Sequence, residues 1–144
     1  MHLSKYTDYS FRILMYLGTH EDRLVTISEV SKRYTISKNH LVKIVHHLAQ
    51  AGIIKSVPGK KGGITLGKDP KKINLLDVIE ITESNFDLAE CFTEHGYCVI
   101  QNNCKLTKIL TEALFSFFKV MGKYNLSDLL RNDQLRNQLR KMAV

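Results

Sequence analysis

Apolar residues recur at helical spacing in three segments near the start of the chain, and each segment predicts a helix. The first helix is expected from about Thr7 to Leu17. The second is expected from Ser28, whose hydroxyl group can cap free amide groups, to about Tyr34. The third follows Ser37 and ends before Gly52, and its inward stripe comprises Leu41, Ile44, Val45, Leu48 and Ala49. The short gap between the second and third helices predicts a helix-turn-helix.

The pattern then changes from helical spacing to two short apolar runs. Residues 53–57 and 64–66 are expected to be strands, joined by a glycine-rich turn whose glycines permit a tight hairpin. A hairpin directly after a helix-turn-helix is typical of a wing. Asn74 is expected to cap a further helix that runs to about Thr82 and packs on this module.

The helical pattern fades between Glu83 and Asn103, which are expected to form an ordered loop only if something ties them down. A long helix follows from about Cys104 to Met121, and at ~1.5 Å per residue it is roughly 27 Å long. Its apolar stripe is too long and too aromatic for one small neighbour to cover, so it predicts a dimer interface. The stripe comprises Leu106, Ile109, Leu110, Ala113, Leu114, Phe117, Phe118 and Met121.

These elements predict a mainly α fold with a small β-wing, in which a winged helix-turn-helix is followed by a long dimerisation helix. The winged helix-turn-helix is expected over residues 1–82 and the cysteine-bearing loop over residues 83–104. Residues 105–130 are expected to hold the dimerisation helix and a short capped turn that begins at Ser127. Residues 131–144 are expected to be a polar tail that frays or continues as helix.

The distribution of charge indicates a polyanionic partner. The 144 residues carry a formal net charge of +7. Between Lys32 and Lys72 there are ten basic residues and one acid, Asp69, so the positive charge is concentrated in the helix-turn-helix and wing. A basic face of this kind attracts phosphate, which favours double-stranded DNA as the partner of the predicted recognition helix. An ordinary solvated face remains the alternative.

Residue types at the start of the third helix suit the reading of base edges. Asparagine can form paired hydrogen bonds with adenine, and lysine can donate to guanine or to phosphates. In the wing, two lysines flanked by glycines are candidates for phosphate or minor-groove contacts. The candidate DNA-binding residues are Ser28, Ser37, Lys38, Asn39, His40, Lys43, Lys60 and Lys61.

Three cysteines fall in one short segment, with six residues between Cys91 and Cys98 and five between Cys98 and Cys104. An odd number of cysteines is a poor disulfide framework, but soft thiolates at this spacing suit an iron-sulfur cluster or zinc. A fourth ligand has to come from another residue, a partner chain or an exogenous molecule. Unrelated free cysteines remain an alternative, because no Cys-x-x-Cys pair is present.

Other features narrow the class of protein. No signal peptide is recognised at the polar start, and no apolar stretch approaches the ~20 residues of a membrane span, so we expect a cytoplasmic protein without a membrane partner. No nucleophile elbow, phosphate loop or other catalytic constellation is found, so we expect that the protein is not an enzyme.

Several motifs resemble one family when they are taken together. They are Leu3-x-x-Tyr6-Thr7-Asp8-Tyr9-x-x-Arg12, Ile27-Ser28-Glu29-Val30, the third helix from Ser37 to Val45, the wing from Gly59 to Gly67, and the three cysteines. The chain resembles the winged-helix family of iron-sulfur regulators that includes IscR, and within it the repressors that sense nitric oxide. The resemblance covers roughly residues 1 to 130.

This resemblance implies a homodimer in which each subunit binds a cluster on Cys91, Cys98 and Cys104, 4Fe-4S in type or alternatively 2Fe-2S. It implies that Asp8 of the partner subunit is the fourth ligand and that nitric oxide relieves repression at an operator. Two positions depart from the family. Thr107 stands where IscR-like members carry a histidine ligand, and Pro58 stands where family wings commonly carry an arginine.

Two other functions compete with this hypothesis. One is a transcription factor that senses oxygen, redox state or iron-sulfur supply in general, and a comparison of nitric oxide with oxygen would separate the two. The other is an iron-sulfur scaffold or electron carrier, which predicts no sequence-specific DNA binding.

Overall fold

The computed structural model describes residues 2–142, so Met1 and the last two residues of the predicted tail, Ala143 and Val144, lie outside the described residues. In this range the chain forms seven α-helices and a two-stranded antiparallel hairpin, which confirms the predicted fold class. The elements are α1 (Lys5–Thr19), α2 (Ile27–Tyr34), α3 (Lys38–Gln50), β1 (Ile54–Val57), β2 (Gly63–Leu66), α4 (Leu75–Thr82), α5 (Lys105–Met121), α6 (Leu126–Leu130) and α7 (Asp133–Lys141).

Side-chain caps decide where several helices begin. The prediction that Ser28 caps the second helix is wrong, because Thr26 lies outside the helix and its hydroxyl accepts from the Glu29 amide at 3.1 Å. Ser37 caps α3 as predicted and accepts from the His40 amide at 3.3 Å. The cap of α6 is Asn125 rather than Ser127, since Asn125 forms a reciprocal capping box with the third helical residue.

The wing is a hairpin in which Ile54 pairs with Leu66 and Val57 pairs with Gly63. A third chain segment joins it, because Val25 exchanges two backbone hydrogen bonds with Ile64, at 3.0 and 2.7 Å. This bridge ties the wing to the loop between α1 and α2, and it was absent from the sequence-based expectations. The positive φ of 104° at Gly59 confirms the predicted need for glycine in the turn.

The core lies around α1, which packs against α3, α4, α6, α7 and β2. Fully buried side chains converge there from many elements: Ile13, Leu14, Tyr16, Leu17, Leu41, Ile44, Leu48, Ile64 and Leu126. The predicted polar tail also contributes, since it forms α7 and buries Leu139. In addition, Arg140 Nε donates to the Thr19 carbonyl at 3.3 Å. The C-terminal helices therefore belong to the same core as the winged helix.

The long helix α5 differs from the other long helices, because none of its 17 residues is buried. It joins the core at its C-terminal end, where the Leu75 amide donates to the Tyr124 carbonyl at 3.0 Å. The predicted stripe divides into two parts. Its half-buried part is Leu110, Leu114, Phe117, Phe118 and Met121, and its exposed part is Leu106, Ile109 and Ala113. Phe115 and Val120, outside the predicted stripe, are exposed as well.

Over residues 2–142, no helix is both long enough and apolar enough to span a bilayer.

Candidate functional site: nucleic-acid interface and cysteine loop

The turn between α2 and α3 is fixed by local contacts. Thr35 adopts a left-handed conformation with φ 53°, which is uncommon for a β-branched residue and reverses the chain sharply. Ser31 Oγ donates to the Ile36 carbonyl at 2.7 Å, and the Ile36 amide donates to the Ser31 carbonyl at 3.1 Å. Because the Ile36 side chain is also buried in the core, the angle between α2 and α3 is fixed.

The start of α3 presents the predicted DNA-binding residues to solvent. Ser37, Lys38, Asn39, His40 and Lys43 are all exposed, whereas the opposite face of the helix enters the core. Ser28 lies in the first turn of α2 and is only half-buried, so it can still reach a phosphate. The geometry therefore brings a cationic, hydrogen-bonding surface to the end of the recognition helix that reads base edges in helix-turn-helix proteins.

One candidate on this surface was missed. Val42 is an exposed apolar residue between Asn39 and Lys43 on the same face of α3. An apolar side chain at such a position suits contact with a thymine methyl group. Its helical spacing relative to Asn39 was the signal that could have identified it.

One side chain in the C-terminal half of α3 contacts the first helix. His47 Nδ1 lies 3.3 Å from the Tyr6 hydroxyl. The same hydroxyl donates to the Lys43 carbonyl at 3.2 Å. A residue near the start of α1 thus holds the backbone of the recognition helix at one of its candidate DNA contacts.

The helix α2 is anchored by a partly buried carboxylate. Glu29 Oε1 accepts from the Tyr16 hydroxyl at 2.6 Å, and Arg23 Nη1 donates to Glu29 Oε2 at 3.0 Å. Hydrogen bonds from Arg23, together with the one from Tyr16, lower the pKa of Glu29 to about 2, although partial burial opposes this shift. Glu29 therefore stays ionised and links α2 to α1.

The wing presents Lys60 and Lys61 at its exposed tip, as predicted. Gly62 permits the tight turn, since a Cβ atom there would lie 2.1 Å from the Val57 carbonyl oxygen. The tip can therefore approach a phosphate backbone closely.

Asp8 lies in the first turn of α1 and is half-exposed. Its two carboxylate oxygens contact Arg12, with Oδ2 2.7 Å from Nη2 and Oδ1 3.2 Å from Nε. The carboxylate is accessible to another molecule, but any ligand of Asp8 competes with this ion pair.

The three cysteines lie along the loop that precedes α5. Cys91 falls in a 3-10 turn over Glu90–Phe92, and Cys104 occupies the N-cap position of α5. All three are free thiols of intermediate exposure. A hydrogen bond from the Thr107 side chain lowers the pKa of the Cys104 thiol, which favours the thiolate form that binds metals.

One of these thiols contacts a hydroxyl group on α5, since Cys91 Sγ lies 3.6 Å from Thr107 Oγ1. No three His, Cys, Asp or Glu side chains among residues 2–142 lie close enough to hold a single metal ion. The donor set nevertheless fits an iron-sulfur cluster in its chemistry, since it offers soft, free thiols on a surface loop.

The loop also exposes apolar side chains beside Cys98. Tyr97 and Ile100 are exposed, and 85% of the Val99 surface is accessible. Exposed apolar side chains therefore occur both in the cysteine loop and along α5, between residues 97 and 120. Sequence reasoning missed these three residues, because the loop lacks periodicity.

Comparison with known proteins agrees with this geometry. The family Rrf2, described as an iron-dependent transcriptional regulator, matches residues 3–132. The "HTH-type transcriptional regulator NsrR" of Bacillus licheniformis is 41% identical over 142 residues, which cover 96% of this chain and 99% of that protein. The protein of the same name from Bacillus subtilis is 41% identical over 144 residues, covering 99% of each chain.

Solved structures show the same fold. "T. potens IscR" superimposes with a TM-score of 0.71 at 22% identity, covering 91% of this chain and 87% of that one. The oxidized form of Staphylococcus aureus CymR gives 0.74 at 21% identity, covering 92% and 98%.

The relatives confirm the resemblance drawn from the motifs, and their names confirm that this protein is a regulator of transcription rather than an enzyme. The winged helix-turn-helix, the extent of the match and these identities lead to one conclusion. The chain belongs to the Rrf2 family of iron-dependent transcriptional regulators.

Proposed function

We propose that this regulator is a cytoplasmic, homodimeric repressor whose affinity for its operator is controlled by a nitric-oxide-sensitive iron-sulfur cluster. The cluster, 4Fe-4S in type, is bound by Cys91, Cys98 and Cys104. Asp8 of the partner subunit supplies the fourth ligand. One observation carries the proposal. The loop with three free thiols leads directly into an exposed apolar helix, in a chain that also carries a basic winged helix.

DNA binding rests on two separate surfaces of one subunit. The exposed start of α3 supplies Lys38, Asn39 and His40 for base edges, and the wing tip supplies Lys60 and Lys61 for phosphates. A dimer that reads two successive major grooves needs its recognition helices ~34 Å apart. Any change in the relative position of the two subunits therefore changes affinity.

The dimer is supported by the surface of α5. More than half of the Phe115 surface and half of the Ile109 surface are accessible, beside further exposed apolar residues of the same helix. Several large apolar side chains exposed on one helix are typical of a surface that contacts another protein. Since the cysteine loop leads directly into α5, the thiols lie next to the proposed interface.

A bound cluster would supply iron that reacts with nitric oxide, and its ligands would be Cys91, Cys98 and Cys104 with Asp8 of the partner subunit. The remaining roles belong to residues of this chain. The three cysteines tie the loop to the start of α5, and Arg12 holds the Asp8 carboxylate in a fixed orientation at the surface.

A route from the cluster to DNA runs through α1. Asp8 lies two residues after Tyr6, whose hydroxyl contacts both the Lys43 carbonyl and His47 on the recognition helix. Loss of Asp8 as a ligand releases only the half-exposed first turn of α1, because the rest of this helix stays packed in the core. The Tyr6 contacts transmit that local change to α3. A typical allosteric coupling of ~1–3 kcal/mol would weaken operator binding roughly 5- to 150-fold.

The test is an anaerobic purification followed by measurement of the visible absorption, the iron-to-sulfide ratio and operator binding. We expect a brown, iron-loaded dimer that releases its operator when nitric oxide is added. Equal operator affinity with and without the cluster would contradict the proposal. Release by oxygen but not by nitric oxide would instead support a general redox sensor, and failure to bind any operator would support an iron-sulfur carrier.

A further inference from the structure

Thr107 lies in the first turn of α5, and its hydroxyl group faces the sulfur of Cys91. The distance from Thr107 Oγ1 to Cys91 Sγ is 3.6 Å. Hydrogen bonding to Thr107 also lowers the pKa of the Cys104 thiol at the start of the helix. The hydroxyl group is therefore placed to donate to a cysteine sulfur at this end of the loop.

Other hydroxyl groups on this helix do something different. Thr111 Oγ1 donates to the Thr107 carbonyl at 2.8 Å, and Ser116 Oγ donates to the Glu112 carbonyl at 2.9 Å. These bonds to the preceding turn are the ordinary arrangement for helical serine and threonine. For Thr107 the carbonyl group four residues earlier belongs to Asn103, which lies before the start of α5. The Thr107 hydroxyl group is directed at sulfur instead.

The chemistry of the hydroxyl group limits what this contact can do. A hydroxyl group carries one proton, so it donates to one sulfur at a time and accepts only from a sulfur that is still protonated. Once both cysteines bind iron as thiolates, donation from Thr107 to a sulfur is the only hydrogen bond that remains between them. Such a bond withdraws charge from the thiolate and favours the more negative, reduced state of a cluster.

We propose that Thr107 is a positioning residue that donates a hydrogen bond to a cysteine sulfur of the bound cluster, raising its reduction potential and slowing its loss. This inference rests on the proposed function, because it concerns the cluster assigned to Cys91, Cys98 and Cys104. It assigns a role to the position at which the chain departs from the histidine of IscR-like members.

The test compares Thr107→Val, which removes the hydroxyl group at nearly constant shape, with Thr107→Ser, which keeps it. Thr111→Val is the matched control, because it removes a hydroxyl group one turn along the same helix. Each protein is loaded anaerobically, and its reduction potential is measured by spectroelectrochemistry. We expect a lower potential and about 10- to 100-fold faster iron loss to a chelator for Thr107→Val alone.

A second arm uses the cluster-free proteins. The rate at which a small alkylating agent modifies Cys104 is followed by mass spectrometry of the peptide that contains it. Without the Thr107 hydroxyl group, modification is expected to be several-fold slower at neutral pH, because the thiolate loses its hydrogen bond. Thr107→Ser should restore the wild-type rate.

The two arms separate the possible failures. Equal potentials and equal rates of iron loss for wild type and Thr107→Val would overturn the role of Thr107 and leave the proposed function standing. If the wild-type protein takes up no cluster after reconstitution, the proposed function fails and this role fails with it. An identical change in Thr107→Val and Thr111→Val would show a general effect on α5 and would also overturn the inference.

Discussion

The winged-helix core and the segment from the cysteine loop to the end of α5 differ in how far a single chain completes them. Around α1, side chains such as Leu14 and Ile44 are wholly removed from solvent, and the caps and turns are satisfied by local hydrogen bonds. Along residues 90–121 no side chain is buried, although Val99, Phe115 and their neighbours are large and apolar. The first region has a packed core of its own, whereas the second leaves all of its large apolar side chains at least partly exposed.

This difference has a consequence for regulation. A region that is held together by few internal contacts opens at low free energy, and binding partners shift its equilibrium strongly. The core has to stay constant so that the recognition helix keeps its shape. The chain thus separates a packed winged helix from an exposed segment, and under the proposed function that segment is the part ordered by a second subunit and a bound cluster.

The largest expected effect comes from Cys98→Ala. We expect this variant to lose cluster binding completely, since only three cysteines are present. The winged-helix core should stay folded, because no residue of the loop over residues 83–104 is buried in it. Iron content and visible absorption measure the first effect, and far-ultraviolet circular dichroism measures the second. Global unfolding of Cys98→Ala would contradict the separation of the two regions.

The second prediction compares two isoleucines in helices. Ile44→Ala in the core should lower the free energy of unfolding by about 2–5 kcal/mol, because it leaves a cavity. Ile109→Ala should change the unfolding of the monomer by less than about 0.5 kcal/mol, since Ile109 is 51% exposed, but it should weaken the dimer.

Urea unfolding and sedimentation velocity at several protein concentrations separate these effects. Lys108→Ala, at the neighbouring exposed position of α5, is the control for the dimer measurement. Equal losses of unfolding free energy for Ile44→Ala and Ile109→Ala would refute the contrast between the regions.

A smaller effect is expected at Glu29, which the Arg23 guanidinium and the Tyr16 hydroxyl hold ionised. Its pKa of about 2 lies below the ordinary 4.5, so its ionised form stabilises the fold above about pH 4.5. That contribution is lost as the pH falls from 4.5 towards 2. Glu29→Gln should therefore cost about 1–3 kcal/mol at neutral pH and flatten the pH dependence in that window.

Urea unfolding at pH 7 and pH 3 measures this change. Glu80→Gln, on an exposed position of α4, serves as the control and should leave both values unchanged. A steep loss of stability in acid that persists in Glu29→Gln would assign the effect to other carboxylates.

The smallest effect is expected for Tyr6→Phe, which removes the hydroxyl contacts with Lys43 and His47. The loss of unfolding free energy should be about 0.5–1.5 kcal/mol. More informative is the ratio of operator affinities with and without the cluster, which should move towards one. Tyr9→Phe, on the same helix, should leave that ratio unchanged, and an unchanged ratio in Tyr6→Phe as well would remove α1 from the proposed route.

Sequence patterns predicted much of the fold because they report local physics. Helical spacing located α1, α3, α4 and α5, and the glycine-rich turn located the wing. Caps were harder to assign, since several hydroxyl and amide side chains stand near each helix start and only backbone conformation selects among them. That is why Thr26 and Asn125, rather than Ser28 and Ser127, cap their helices.

The candidate site was predicted less completely for a related reason. Residue types and their spacing predicted the candidate DNA-binding residues and the three cysteines, and a resemblance supplied Asp8. Two contacts near these residues were not predicted. Tyr6 contacts Lys43, 37 positions along the chain, and Thr107 contacts Cys91, 16 positions away. Such contacts depend on how helices pack, which periodicity does not encode.

By itself, the sequence determined the order of helices, the wing, the concentration of positive charge and the set of soft donors, because each follows from short-range pattern and composition. Only the tertiary structure decided that the C-terminal tail joins the core through Leu139 and that α5 stays exposed. It also decided that Thr107 faces sulfur rather than a carbonyl group. These outcomes depend on which apolar surfaces are buried against one another, and that depends on the packing of the whole chain.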